Sequence, residues 1–396
     1  MFTISPLLSG LSDIGFADVA LWIAVATSLA SSAYVAFAVW RVGLFSDRSR
    51  GASAFLPRVT ILKPVCGLDY QLYENLLTFC RQDYPVYQVI FGVRDPADPA
   101  IPVIRRIMAE LPETDIALVV DGAVNGANLK VANLANMDRE AKHPFLIISD
   151  SDMRVDPNYL ASVVAPFADP SVGAVTCLYK ATPAEGLASR LGAMFINEWF
   201  LPSVLVAAAL QDMNFCLGAT MAVRREALQR AGGFAALVPY LADDYMLGKL
   251  IADQGFAVRL SSYVLENVVS ERSLAALVRH ELRWARTIRT VQPVGYAFSF
   301  LTYAIPLAIL AYVVRDLTAS SVTLGLGPLV IAVVPRLMMH YVVQAKFQRG
   351  SPTRPWLVPV RDILSFFVWG ASFFGRGISW RGNSFAVHVD GSIRSE

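Results

Sequence analysis

Residues 16–40 read FADVALWIAVATSLASSAYVAFAVW, with Asp18 as the only charge. About 20 apolar residues in helical form cross the hydrocarbon layer of a bilayer, so any fold open to this chain must accommodate a membrane-spanning helix over 16–40. A secretory leader would carry a basic stretch before a shorter apolar core. No Lys or Arg precedes Arg41, which favours an anchor led by a non-cytoplasmic segment, 1–15. Two further apolar runs, 294–314 and 320–343, read as a helical hairpin with Arg315 and Asp316 in its turn; Pro335, Arg336 and His340 interrupt the second run. Residues 362–375 are too few for a comfortable span and read as interfacial or re-entrant, with a tail over 376–396. The competing reading makes these runs buried helices of a large water-soluble core.

Composition supports the membrane reading. Hydrophobic residues make up 55% and charged residues 17%, against about 25% charged in an average soluble domain, which excludes disorder and a coiled coil. A net charge of +2 leaves no broad electrostatic footprint for nucleic acid. Arg41, Arg48, Arg50 and Arg58 follow the first run, and Lys346, Arg349, Arg354 and Arg361 follow the hairpin. The positive-inside rule then puts the long middle region in the cytoplasm. Cys66, Cys80, Cys177 and Cys216 form no CxxC pair, and His143, His280, His340 and His388 supply no companion ligands, so free thiols are expected.

Within 57–291 short β-branched runs alternate with amphipathic segments. Strands are expected over 58–65, 87–94, 115–120, 145–149 and 172–179, with helices over 71–81 and 157–167. That order predicts an α/β domain with a largely parallel sheet covered by helices. Ligands collect at the carboxyl ends of such strands, and three strands run directly into Asp95, Asp121 and Asp150. Taken singly, each aspartate reads first as a turn former or helix cap, and only their combination points to a site.

No GxGxxG follows the first strand and no GxxxxGK[ST] occurs, so a phosphate cradle of either kind is missing and a metal must do that work. Asp150 and Asp152 flank Ser151 after the strand LIIS. Alternate residues of an extended chain project to one side, so both carboxylates can meet one hard divalent cation, Mg2+ or Mn2+, which could bridge a diphosphate leaving group. Asp243 and Asp244 open the helix of LADDYMLGKLIADQG. They are either complements of the helix dipole or a general base, with Asp244 the better candidate. In RSLAALVRHELRWARTIRTV, the side chains of His280, Arg283 and Trp284 share one helical face. Arg can grip phosphate oxygens and Trp can wall a sugar or lipid head group; alternatively this is a basic juxtamembrane helix on anionic lipid.

Asp95, the Asp150/Asp152 pair, Asp243/Asp244 and HELRW stand in the order of the D, DxD, D and QxxRW series. The chain thus resembles the family-2-like membrane glycosyltransferases of GT-A fold, and within them the ceramide glucosyltransferase group. The likeness runs through ILKPVCG, QDYPVYQVIFGVRDPADPA, GANLKVANL, DSDMRV, AGGF, ADDYMLGKLIADQGF and LRW, and extends to ISWRG. The phrases GAVTCLYK, FINEWFLPSVLVAAAL and HELRWARTIRTVQPVGYAFSFLTYA resemble the bacterial hopanoid-associated glycosyltransferases. The resemblance implies that Asp95 binds the uridine of a UDP-sugar, and that Asp150 and Asp152 hold metal and diphosphate. It implies that Asp244 is the base, with Asp243 beside the donor, and that Arg283 and Trp284 close on diphosphate and acceptor. Lys130 matches a phosphate-neutralising position, while Lys63 and Pro64 fall on the wall of the donor pocket. His280 departs from the family's Gln or Arg, which leaves its contact open.

The implied reaction is inverting transfer to a membrane lipid at the inner membrane of a bacterium. The expected pair is N-acetylglucosamine and bacteriohopanetetrol, with UDP-glucose and ceramide as the alternative. A processive polysaccharide synthase would need more membrane segments, and a transporter would need paired bundles. A protein that binds nucleotide sugar without turnover is the reading from another class. Residues 197–210 are apolar enough either to line a lipid entrance or to form a buried helix.

Overall fold

The computed structural model describes residues 15–46, 55–124, 126–348, 352, 354–375, 377–380, 383–387 and 393–395. Nearly all of the expected segment 1–15 lies outside these residues, as do Arg48, Arg50, Arg349, His388, and the Arg381 and Gly382 of ISWRG. The chain divides into two compact units, 1–44 with 294–373, and 45–293 with 374–396.

The strands of the large unit are β1 (Val59–Pro64), β2 (Tyr87–Val93), β3 (Asp115–Val120), β4 (Phe145–Ser149), β5 (Met153–Arg154), β6 (Val172–Pro183), β7 (Thr220–Arg224) and β8 (Ala257–Val269). They form one sheet in the order β3-β2-β1-β4-β7-β6-β8-β5. In chain order the helices are α1 (Phe16–Leu44), α2 (Leu72–Cys80), α3 (Ala100–Glu110), α4 (Leu129–Asp138), α5 (Tyr159–Val164), α6 (Leu187–Phe195), α7 (Leu201–Leu210), α8 (Arg225–Arg230) and α9 (Asp243–Asp253). They continue with α10 (Leu274–Val291), α11 (Pro293–Phe298), α12 (Ala304–Leu317), α13 (Gly327–Phe347) and α14 (Leu357–Ser372).

Strands β1 to β4 are parallel where they pair. The other half of the sheet is mixed: β7 runs antiparallel to β4 and β6, and β5 to β8. The sheet is therefore less parallel than the sequence suggests. Strand β7 is five residues running straight into α8, and polar Ser261, Ser262 and Asn267 interrupt β8, so neither shows an unbroken apolar run. Side chains alternate between faces as the pleat requires. Ile61, Phe91 and Ile147 join α2, α3 and α5 in one core. Leu62, Ile90, Leu146 and Ile148 join α4, α8 and α9 in the other. Strands buried on both sides must be apolar throughout, which is why β1, β2 and β4 read as continuous runs. The four cysteines are free, and burial pushes the thiols of Cys80 and Cys177 up to about 12. Gly377–Trp380, Asn383–Val387 and Ile393–Ser395 form a separate antiparallel sheet.

In the helical unit α1 buries one stripe containing Leu21, Val25, Ser28, Ser32, Val35 and Val42. This stripe packs on Ala304, Ala308, Ala311 and Ala332. Small residues let apolar helices approach closely, the usual basis of helix association in lipid. Trp22, Ile23, Val330 and Phe367 point outward and are exposed. Among the described residues three helical stretches, Phe16–Leu44, Leu187–Leu210 and Gly327–Phe347, are long and apolar enough to cross a membrane. The run expected over 294–314 is not one straight helix: Pro293–Thr302 and Ala304–Leu317 meet at a bend of 77°. Pro306 accounts for the break. Its missing N–H is harmless in the first turn of α12, whereas a helix continuing through it would set the ring against the carbonyl of Thr302. The stretch expected over 362–375 begins earlier, as α14, and Arg336 of α13 grips its buried Asp362 with Nε–Oδ2 and Nη2–Oδ1 contacts of 2.8 and 2.7 Å.

Breaking that buried pair from one side leaves an uncompensated charge. Asp362→Asn is expected to destabilise the helical unit by about 3–5 kcal/mol, and Arg336→Met with Asp362→Leu together far less, both read as thermal midpoints of the detergent-solubilised protein.

Candidate active site

The site is assembled where β4 ends. The chain leaves β4 through Asp150, Ser151 and Asp152 and is at once captured by the far edge of the sheet, where β5 pairs with Glu266 and Asn267 of β8. That capture fixes the turn. Asn267 Nδ2 donates to Asp152 Oδ2 at 2.9 Å. From the opposite side Lys130 Nζ lies 2.8 Å from Asp150 Oδ1 and 3.5 Å from Asp243 Oδ2.

Asn128 places Lys130. Its Oδ1 accepts from the N–H groups of Lys130 and Val131 at 3.0 and 3.1 Å, capping α4. Its Nδ2 donates to the Tyr240 carbonyl at 2.8 Å and reaches Asp243 Oδ1 at 3.4 Å. Asp244, on the first turn of α9, accepts the Tyr245 N–H at 2.8 Å. It lies against Gly218, where a Cβ would stand 3.0 Å from Asp244 Oδ2. Gly248 makes this approach possible, since a Cβ there would meet the Phe215 backbone at 2.4 Å.

Burial and then the charge of Asp243 push the Asp244 carboxyl up to about 6, against the pull of Lys130. Asp152 rises to about 6 through burial and then Asp150 and Asp69. Burial opposes the charge of Lys130, but Asp150 and Asp243 outweigh it and hold the ammonium firmly protonated. Asp95 lies two residues beyond β2, a strand that stands two places from β4, about 10 Å away. It is exposed, and its Oδ1 accepts the Ala97 N–H at 2.8 Å. Asp121 makes the same kind of turn with Ala123 and pairs with Arg139.

Two residues meet partners that the sequence did not show. Lys63 is fully buried behind the turn and donates to the Asp150 carbonyl. His280 has its Nδ1 2.7 Å from Glu271 Oε1, and its ring packs on Trp284 with centroids 4.2 Å apart. It supports the indole. Half-buried Arg283 precedes Trp284 on the same helix.

An aromatic layer joins the two parts. Trp284 stacks on Phe195, and Phe200 packs on Tyr179 at 4.9 Å, in one cluster with Ala181, Ala193, Ile196 and Val269. Burial and the charges of Asp152, Asp244 and Asp150 push the Tyr179 phenol up. A π-turn, Ile196–Phe200, lies between α6 and α7. It turns buried Asn197 onto β6, where it accepts the Ala181 N–H at 2.7 Å and donates to the Ala181 carbonyl at 2.8 Å. The apolar stretch 197–210 is largely core, with Leu201, Val204, Leu205 and Val206 buried and Leu210 exposed.

Asp150 and Asp152 fit a divalent cation. Both are hard oxygen donors, and Asp150 adds to the negative field at Asp152. Among the described residues no group of three or more His, Cys, Asp or Glu side chains could enclose a metal. A cation there would keep positions open for donor oxygens. Sequence reasoning missed Asp69, Asn128, Tyr179, Gly218, Asn267 and Glu271. Only Asn128 carried a readable signal, an Asn directly before a helical run.

A family model described as glycosyl transferase family 21 matches residues 20–393. Ceramide glucosyltransferase 3 of Caenorhabditis elegans is 26% identical over 347 residues, covering 85% of this chain and 74% of that protein. Ceramide glucosyltransferase 1 of the same organism is 25% identical over 345 residues, covering 86% and 74%. Among solved structures, the mannosyltransferase PcManGT from Pyrobaculum calidifontis, in complex with GDP-Man and Mn2+, superposes with a TM-score of 0.56. It is 21% identical, with 90% of this chain and 99% of that one covered. The large unit thus has the GT-A fold.

A carboxyl group with a raised pKa is protonated more in the folded than in the unfolded chain, so its contribution to stability is lost as pH rises from about 4 to about 6. Asp244→Asn should therefore leave the thermal midpoint unchanged or higher at pH 7.5, and the difference from the parent should vanish near pH 4 in a pH series of melting curves.

Proposed function

This chain belongs to glycosyl transferase family 21, and from that premise we propose a metal-dependent, inverting transfer of a sugar from a UDP-sugar to a hydroxyl group of a membrane lipid. The carrying observation is the meeting of Asp150, Asp152, Lys130 and Asp243 with Asp244 at the carboxyl end of the sheet. In this reading Asp95 takes the uridine, and Asp150 and Asp152 hold Mg2+ or Mn2+. Such an ion supplies positive charge to a departing diphosphate. Lys130 lies beside that position with its proton firmly held and donates to phosphate oxygens.

Asp244 takes the proton of the lipid hydroxyl. A pKa near 6 leaves it ionised at neutral pH yet more basic than an ordinary aspartate. The hydroxyl attacks the anomeric carbon opposite the leaving diphosphate, which inverts the configuration. Arg283 and Trp284 close on diphosphate and acceptor, with His280 and Glu271 steadying the indole. The apolar helices hold the enzyme at the lipid that it modifies. Arg41, Arg58, Lys346 and Arg354 favour a catalytic unit on the cytoplasmic face of a bacterial inner membrane. The names of the curated relatives support UDP-glucose and ceramide. N-acetylglucosamine transfer to bacteriohopanetetrol rests on the phrases GAVTCLYK, FINEWFLPSVLVAAAL and HELRWARTIRTV alone.

Membranes carrying the protein are to be offered UDP-glucose or UDP-N-acetylglucosamine, each with ceramide or bacteriohopanetetrol, and the products read by lipid mass spectrometry. One glycolipid, lost with chelator, is expected; no product in any combination would favour a binding-only protein. Asp244→Asn should lower kcat by about 10²–10⁴-fold, and the parent rate should fall about tenfold per pH unit below about pH 6.

A further inference from the structure

We propose that Lys63 and Asp69 are positioning residues that clamp the Asp150–Ser151–Asp152 turn from behind, so that both carboxylates face one cation and its diphosphate. The proposal rests on the reading of that turn as a cation site. Lys63 stands on β1, beside β4, and is fully buried. Its Nζ donates to the Asp150 carbonyl at 2.5 Å and lies 3.5 Å from the centroid of the Phe79 ring. Ser151, between the two acidic residues, donates its hydroxyl to Asp69 Oδ2 at 2.5 Å.

The two contacts hold the turn through the hydroxyl and the carbonyl that lie between its carboxylates. Ser151 and the Asp150 carbonyl are held by Asp69 and Lys63, while the Asp150 and Asp152 side chains meet Lys130 and Asn267. Asp69 is itself anchored through its loop, since the Gly67 N–H lies 3.0 and 2.9 Å from the two carboxylate oxygens of buried Asp98. Asp98 Oδ1 also accepts the Ala100 N–H at 2.8 Å. The loops after β1, β2 and β4 are thereby tied together.

Stability gives no reason for a lysine at this place. A buried ammonium carries a heavy desolvation cost, which the neighbouring charges of Asp150, Asp152 and Asp69 offset only in part. Geometry at the turn gives the reason instead: a methionine would fill the space between β1 and Phe79 but could not hold the Asp150 carbonyl.

The test is Mn2+ binding to the purified full chain in the presence of UDP, followed by electron paramagnetic resonance, with thermal midpoints measured in parallel. The parent protein should bind Mn2+ saturably. Lys63→Met should weaken binding about tenfold or more, its midpoint showing whether the fold survives, and Ser151→Ala and Asp69→Ala should weaken it in the same direction. Parent-like Mn2+ affinity in Lys63→Met and Ser151→Ala, whatever their midpoints, would overturn the clamp and leave the cation site standing. Absence of saturable binding in the parent would remove the cation reading and the clamp with it. Where Lys63→Met does not fold, Ser151→Ala decides alone.

Discussion

Repulsion among carboxylates at the end of β4 is the constraint around which the large unit is arranged. Two unit charges 4 Å apart interact by about 4 kcal/mol at the effective dielectric near a protein surface, and burial adds desolvation to that cost. Lys130 answers it directly, lying between Asp150 and Asp243. Asn128 answers it by setting the helix that carries Lys130, and Asn267 by giving Asp152 a donor. The apolar clusters on the two faces of the sheet supply the stability against which this acidic end is maintained.

What could be read from the sequence followed from local pattern. Continuous apolar runs gave the strands buried on both faces, and a strand running into aspartate marked the ligand-binding end of the sheet. Pattern could not assign the partners that folding supplies. Asn267 lies 115 positions from the aspartate that it holds, and Ser151 is separated by 82 positions from Asp69. Local spacing puts His280 beside Trp284, and their rings do meet, but it could not supply Glu271, ahead of the helix, as the partner of the ring nitrogen. Lys63 reads as a strand-end cation near the donor, and only its burial shows that it acts on backbone.

In the helical unit hydrophobicity predicted where helices occur, and local backbone chemistry decided their shape. The run over 294–314 is apolar enough for one span, yet Pro306 makes it two helices. Pro335 lies inside α13 without ending it, so proline alone does not mark a boundary. The buried Arg336–Asp362 pair explains how ionisable residues can sit within apolar helices, each supplying the other's counter-charge.

The π-turn at Ile196–Phe200 carries a consequence for how sequences of this kind can diverge. Such a turn holds an extra residue within a helix, and each helical residue advances about 100° around the axis. Loss of one residue there would restore an ordinary helix and rotate everything from Leu201 onward by that angle, taking buried Leu205 off the core face. The same deletion would withdraw Asn197 from Ala181 and Phe200 from Tyr179. Geometry at this segment therefore tolerates a change of side chain more readily than a change of length.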